Sequence, residues 1–141
     1  SGVILQFPFY AGIFGVINST ALGDWLGTLF VQLATTETYP LIVYIYSGVV
    51  NVFVPSGGSK WLIEAPYLLP AAAELGVSST TTLLAYCYGD STSNLIQPFW
   101  AIPILTVTRM KFGDILGYSG LIALMLFLVT ALAMLIIPAT L

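Results

Sequence analysis

Charged side chains are scarce in this sequence: they make up 6% of its 141 residues, while hydrophobic residues make up 58% and the mean hydropathy is +0.99. A soluble domain carries roughly 25% charged residues, so this chain could not cover its surface in water. The composition therefore predicts an integral membrane protein. The net charge of −3 rests on so few charged side chains that it gives no support to nucleic acid as a partner.

Histidine is absent, and Cys87 is the single cysteine. Ser-His and Cys-His catalysis need an imidazole, and the usual zinc sites combine several cysteines and histidines. Those mechanisms and sites are therefore excluded within this chain. Cys87 has no intrachain disulfide partner, and its apolar neighbours predict an unreactive, packed thiol.

The chain opens on "SGVILQFPFY", with neither a starting methionine nor basic residues ahead of the apolar run. This pattern is not that of a secretory signal peptide. We expect the chain to be a fragment that begins within a longer protein.

Long apolar runs lie at both ends of the chain. A helix needs ~20 apolar residues to cross a hydrocarbon core of about 30 Å. Segments 1–22 and 114–137 contain runs of this length, at 3–22 and 115–137. We predict one spanning helix in each segment, with the second ended by Pro138.

Segment 24–36 is amphipathic rather than uniformly apolar. On a helix, one face carries the apolar residues and the other the polar ones: Trp25, Leu26, Leu29, Phe30 and Leu33 against Asp24, Thr28, Gln32 and Thr35. This spacing is typical of a helix that lies in the membrane interface. Pro40 follows and ends the segment.

Segment 41–74 contains two short apolar arms, 41–54 and 61–74, joined by "PSGGSK". Each arm would be about 21 Å long as a helix, which is too short to cross comfortably. We predict a re-entrant helical hairpin whose tip lies inside the membrane. Two tilted spans joined by a surface turn are the alternative, and length alone does not decide between them.

Segment 79–107 surrounds the polar stretch "YGDSTSNLIQPFW". The distance from Glu74 to Arg109 is about 52 Å as a helix, too long for one straight span. We predict a discontinuous helix, with half-helices at 79–89 and up to 107 around an unwound piece. Ser78 or Ser79 can cap the first half, and one of the polar residues Asp90, Ser91 and Ser93 the second.

Asp90 would then lie near the middle of the membrane. A central aspartate costs ~2.5–3.5 kcal/mol on insertion scales, so an intramembrane carboxylate is a candidate functional residue. The alternative is that Asp90 only caps the second half-helix, and the two roles are compatible. Arg109 and Lys111 predict a cytoplasmic link before the last span, provided that Lys60 is buried at the hairpin tip and is not a loop charge.

The two breaks are also expected to meet. Each break frees amides and carbonyls that water cannot reach, at several kcal/mol per unsatisfied group. One shared pocket would let a substrate carboxylate and a cation satisfy both sets of groups. We therefore predict that residues 56–58 approach residues 90–94 closely.

Four stretches, "LQFPFYAGIFG", "NVFVPSGGSKW", "LLPAAAELGVS" and "YGDSTSNLIQPFWAIPIL", together resemble the C-terminal half of the short-chain fatty acid transporter family. That family is similar in architecture to the ion transporter superfamily of carboxylate carriers. The resemblance implies an all-α integral membrane domain over 1–141, one half of an inverted-repeat transporter. It also implies that the N-terminal repeat of the same protein is absent here.

The resemblance implies site residues as well. The substrate-binding residues would be Ser56, Gly57, Gly58, Ser91, Asn94 and Gln97, with Asp90, Ser56 and Asn94 coupling a cation or proton. The implied function is secondary transport of short-chain monocarboxylates across the cytoplasmic membrane, driven by Na⁺ or H⁺, with no enzymatic activity. We expect no cofactor other than Na⁺ as coupling ion, and the lipid bilayer and a second copy in a homodimer as further partners. The alternative function is a non-transporting membrane module.

Overall fold

The computed structural model describes residues 8, 11–13, 15–17 and 19–136. Its named elements are six helices, which we number α1 (Leu22–Leu33), α2 (Tyr39–Phe53), α3 (Gly57–Glu74), α4 (Ser79–Asn94), α5 (Pro98–Thr108) and α6 (Phe112–Ile136). The described residues between 8 and 19 are helical as well. No strand occurs in these parts of the chain, which confirms the all-α prediction for them.

Helix α6 is the most apolar element. It has 25 residues, and its most apolar stretch of 18 residues has a mean hydropathy of 2.6. Most of its side chains are exposed. It is the one helix among the described residues that is long and apolar enough to span a membrane, which confirms the predicted helix as far as residue 136. The predicted span at 1–22 and the stop at Pro138 lie largely or wholly outside the described residues.

Helix α1 packs against α3 through a small part of its surface. Phe30 is buried, and Gly27 lies close to the backbone of Tyr67, where an added Cβ would be 3.5 Å from the carbonyl oxygen. Trp25 and Leu33, which belong to the predicted apolar face, are 59% and 67% exposed. The predicted helix is therefore present with a narrower packed face, and its position in a membrane interface stays a prediction.

Helices α2 and α3 form an antiparallel pair. Lys60 near the start of α3 contacts Ser47 in α2, and the hydroxyl of Tyr39 at the start of α2 donates to the carbonyl of Leu68 (2.6 Å). The second arm begins at Gly57, one turn before the predicted start at 61, with Ser56 in extended conformation at the N-cap position. The glycines therefore belong to the first helical turn and not to the connecting turn.

The break between α4 and α5 lies at residues 95–97, about five residues later than the predicted start of the unwound piece after Gly89. Ser93 Oγ lies 2.9 and 3.0 Å from the carbonyl oxygens of Gly89 and Asp90, so this hydroxyl finds acceptors within the helix. Pro98 lacks an amide hydrogen and disfavours helical geometry before it, which ends α4. Asp90, Ser91 and Ser93 are helical and do not cap α5. The capping alternative for Asp90 is therefore wrong.

The start of α4 follows the prediction. Ser78 Oγ accepts a hydrogen bond of 3.1 Å from the Thr81 amide, as an N-cap residue does.

The prediction of a packed thiol at Cys87 is wrong. Cys87 lies on an exposed face of α4, because α2 packs against the opposite face through Ala85, Tyr86 and Gly89.

Candidate functional site

Lys60 is the centre of a polar cluster between α2, α3 and α4. Its side chain is fully buried, and its Nζ donates hydrogen bonds of 2.8 Å to both the carbonyl and the hydroxyl of Ser47. Nζ also lies 3.0 Å from Asp90 Oδ1 and 4.6 Å from the centre of the Tyr86 ring. The ammonium is thus held by groups from both neighbouring helices.

Asp90 joins this lysine to the start of α3. Its side chain is 15% exposed, and a Cβ added to Gly57 would lie 3.3 Å from Asp90 Oδ2. The Tyr86 hydroxyl donates to the Gly57 carbonyl and brings α4 to the same turn. The close approach of the α3 start to Asp90 is therefore confirmed. The first amides of a helix have no intrahelical partner and favour anions, so Asp90 occupies a position suited to a carboxylate.

Asn51 connects α2 to the polar turn of α4. Its Nδ2 lies within hydrogen-bonding distance of the Asp90 carbonyl (3.2 Å), Ser93 Oγ (2.9 Å) and Asn94 Oδ1 (2.7 Å). An amide group has two hydrogens, so these acceptors share them. Asn94 Nδ2 in turn lies 3.4 Å from Asp90 Oδ2. Asn51 therefore fixes the rotation of α4 that points Asp90 at Lys60.

The predicted site residues divide into two groups. Gly57, Asp90 and Asn94 come together with Ser56 beside them at the N-cap of α3. Gly58 and Ser91 are exposed. Gln97 does not line an unwound segment with Asp90; it is buried at the break, where it donates to the carbonyl of Val52 (3.4 Å).

Sequence reasoning assigned no site role to several buried polar residues, namely Ser47, Asn51, Lys60 and Glu64. Two signals could have found them. Ser47 and Asn51 are four positions apart in an apolar run, and so are Lys60 and Glu64, so each pair lies on one helix face. Polar residues at this spacing in an apolar helix indicate a buried polar stripe.

A cavity lies elsewhere, between α2, α4 and α6. It has a volume of about 460 Å³, and its lining is apolar except for Tyr44, Thr92 and Ser93. It contains neither Lys60 nor Asp90, so nothing charged lines it that could recognise a carboxylate. We therefore place the candidate site at the Lys60–Asp90 pair and not in this cavity.

Comparison with known proteins is consistent with a carrier. A family model described as "Short chain fatty acid transporter" matches residues 1–137. An Escherichia coli K12 protein named "Putative short-chain fatty acid transporter" is 38% identical over 118 residues, covering 84% of this chain and 27% of that protein. A Haemophilus influenzae protein of the same name is 36% identical over 118 residues, covering 84% and 26%.

A more distant relative, "Putative basic amino acid antiporter YfcC" of Escherichia coli K12, is 30% identical over 89 residues, covering 62% of this chain and 18% of that protein. What the three names share is transport. The chain spans about a quarter of the length of the first two relatives. No solved structure matches it.

Proposed function

The chain belongs to the short-chain fatty acid transporter family, and from this we propose that it supplies half of the substrate site of a secondary transporter for small monocarboxylates. A family of transporters also means that the chain is not an enzyme. The observation that carries the proposal is the buried Lys60–Asp90 ion pair at the start of α3. A buried ammonium beside free helix amides is a receptor for a carboxylate.

In this proposal the substrate carboxylate binds where Asp90 now contacts Lys60 and the first turn of α3. Ser56 and Gly57 border that position, and Asn94 steadies Asp90 when the pair opens. Gly58 and Ser91 are exposed and would contact the substrate from the side that the N-terminal repeat covers. Gln97 supports the break by satisfying the carbonyl of Val52.

The proposed architecture is half of an inverted-repeat transporter in the cytoplasmic membrane, with residues 1–141 as one domain. Helices α2 and α3 form its re-entrant hairpin, and α4 with α5 its discontinuous helix. The full burial of Lys60 supports this topology, because a buried lysine does not count as a loop charge. The link at 109–111 is then cytoplasmic. Transport is coupled to Na⁺ or H⁺, and a second copy completes a homodimer.

The direct test is uptake of labelled butyrate by the full-length protein reconstituted in lipid vesicles. Butyric acid crosses bilayers unaided, so initial rates are compared with those of protein-free vesicles. We expect protein-dependent exchange of external labelled butyrate for internal unlabelled butyrate. Uptake no faster than in protein-free vesicles, for butyrate and for acetate alike, would favour the alternative of a non-transporting membrane module.

Asp90→Asn in the full-length protein is expected to lower butyrate exchange by about 10- to 100-fold, the value of a charged hydrogen bond of about 1.5–3 kcal/mol. Asparagine has nearly the same size and still places an oxygen beside the Lys60 ammonium, so the amount of folded protein in the membrane should change much less. Initial rates normalised to folded protein measure this. Asp24→Asn, on the exposed surface of α1, is the matched control. An equal loss of fold and exchange would assign Asp90 a structural role.

A further inference from the structure

Glu64 is a buried carboxylate that the proposed binding step does not use. Its side chain is 1% exposed, and neither carboxylate oxygen has a hydrogen-bond partner within the described structure. It lies one turn after Lys60 on the same face of α3. A charged carboxylate left unpaired in such a place costs several kcal/mol. A neutral Glu64 avoids this cost while Lys60 is paired with Asp90.

The surroundings of Glu64 contain one cation and one other carboxylate. The charged and titratable groups that act on it come from all three helices: Tyr46 from α2, Lys60 and Tyr67 from α3, and Tyr86 and Asp90 from α4. Lys60 already donates to Ser47 and contacts Asp90. Within the described structure Lys60 is therefore held by Ser47 and Asp90, and no hydrogen bond joins it to Glu64.

Charge balance then links the proton to the substrate. With Glu64 neutral, the cluster of Lys60 and Asp90 has no net charge, and a bound monocarboxylate makes it −1. With Glu64 ionised, the same binding step would place three carboxylates around one ammonium. Because like charges close together in a dry site repel by several kcal/mol, a substrate anion binds only when Glu64 carries its proton.

Resting on the function proposed above, we infer that Glu64 is the proton-coupling residue and that the coupling ion is H⁺. A proton from the water on one side is taken up on a carboxylate oxygen of Glu64, travels with the monocarboxylate, and is released on the other side. Asp90 pairs with Lys60 in the empty site and moves away from it when the substrate binds. One proton moves with each substrate anion, so the cargo is electrically neutral.

The test is calorimetric titration of butyrate into the purified full-length protein, in buffers of different ionisation enthalpy from about pH 6 to about pH 9. Affinity should be constant at low pH and then fall about tenfold per pH unit, because rising pH removes the proton that binding requires. On the falling part, one proton is taken up per butyrate. Glu64→Gln should bind butyrate with nearly constant affinity and no proton uptake. Glu74→Gln, at the exposed end of the same helix, should behave like the unchanged protein.

Several outcomes would overturn the inference. Glu64→Gln that still takes up a proton would place the proton on Asp90 or on butyric acid itself. Unchanged protein whose affinity depends on Na⁺ and not on pH would make Na⁺ the coupling ion. If Glu64→Gln does not fold, Glu64→Asp is measured in its place and should still take up a proton with butyrate. Absence of proton uptake in Glu64→Asp, or in the unchanged protein, rejects the inference. Absence of any monocarboxylate binding to the unchanged protein would instead reject the proposed function itself.

Discussion

Replacing Lys60 by methionine in the full-length protein is expected to weaken butyrate binding by at least about a hundredfold, as removal of a buried charged partner does. Methionine fills a similar volume but removes the two hydrogen bonds to Ser47 and the contact with Asp90. Breaking a buried ion pair costs about 3–5 kcal/mol. Because Asp90 is 15% exposed, we expect Lys60→Met to lower the free energy of unfolding by about 2–3 kcal/mol.

Titration calorimetry measures the affinity, and denaturant unfolding in mixed micelles measures the stability. Lys111→Met, in the exposed link before α6, is the matched control and should change neither. Combining Lys60→Met with Asp90→Asn removes the unpaired charge, so the double variant should recover part of the stability but none of the binding. A double variant that costs the full sum of the two single losses would contradict the ion pair as the source of the effect.

Hydropathy and the spacing of apolar residues predicted the positions of most helices along this chain. Helices α1, α2, α3 and α6 occur where apolar runs and amphipathic spacing predicted them, with ends shifted by about a turn or less. Such patterns report which side chains avoid water. The position of a helix relative to a bilayer depends on neighbours outside this chain, so the re-entrant hairpin stays a prediction.

The break in the second half of the chain shows where sequence reasoning failed. The sequence predicts an unwound piece directly after Gly89, because the stretch from Glu74 to Arg109 is too long for one straight span and polar residues there can cap a second half-helix. In the structure Gly89 provides close contact with α2, and Ser93 and Asn94 find partners in Asn51. These contacts come from a neighbouring helix, which local propensity does not include.

The site was predicted in outline from an argument about unsatisfied backbone groups, and Gly57 does meet Asp90. For Lys60, the central residue of the cluster, the sequence raised only whether it is buried at the hairpin tip or is a loop charge. Burial of a lysine is so unfavourable without a partner that sequence alone argues against it. Only the fold shows that Ser47 and Asp90 converge on the ammonium and make its burial tolerable.

Close packing of α2 against α4 is what brings these partners together. A Cβ added to Gly89 would lie 2.2 Å from the Tyr44 carbonyl oxygen and 3.1 Å from the Gly48 amide nitrogen. Both are backbone atoms of α2, so no side chain can rotate away. The Ser47 hydroxyl also donates to the Tyr86 carbonyl across this interface (2.9 Å). Small residues at such crossings let helix backbones touch in a membrane protein.

Gly89→Ala should therefore push α2 and α4 apart and destabilise the protein by about 2–3 kcal/mol, in the upper part of the range for overpacking. It should also weaken butyrate binding, because the separation moves Ser47 away from Lys60 and Asn51 away from the Asp90 turn. Gly117→Ala is the matched control, because Gly117 is also a helical glycine. A Cβ added to it, on α6, would meet nothing within 4 Å. Removing a helix glycine there should be neutral or stabilise by up to about 1 kcal/mol. Unfolding in mixed micelles measures the stability of both variants, and butyrate calorimetry measures their affinity. A Gly89→Ala protein as stable as the unchanged one would show that the two helices do not need this close contact.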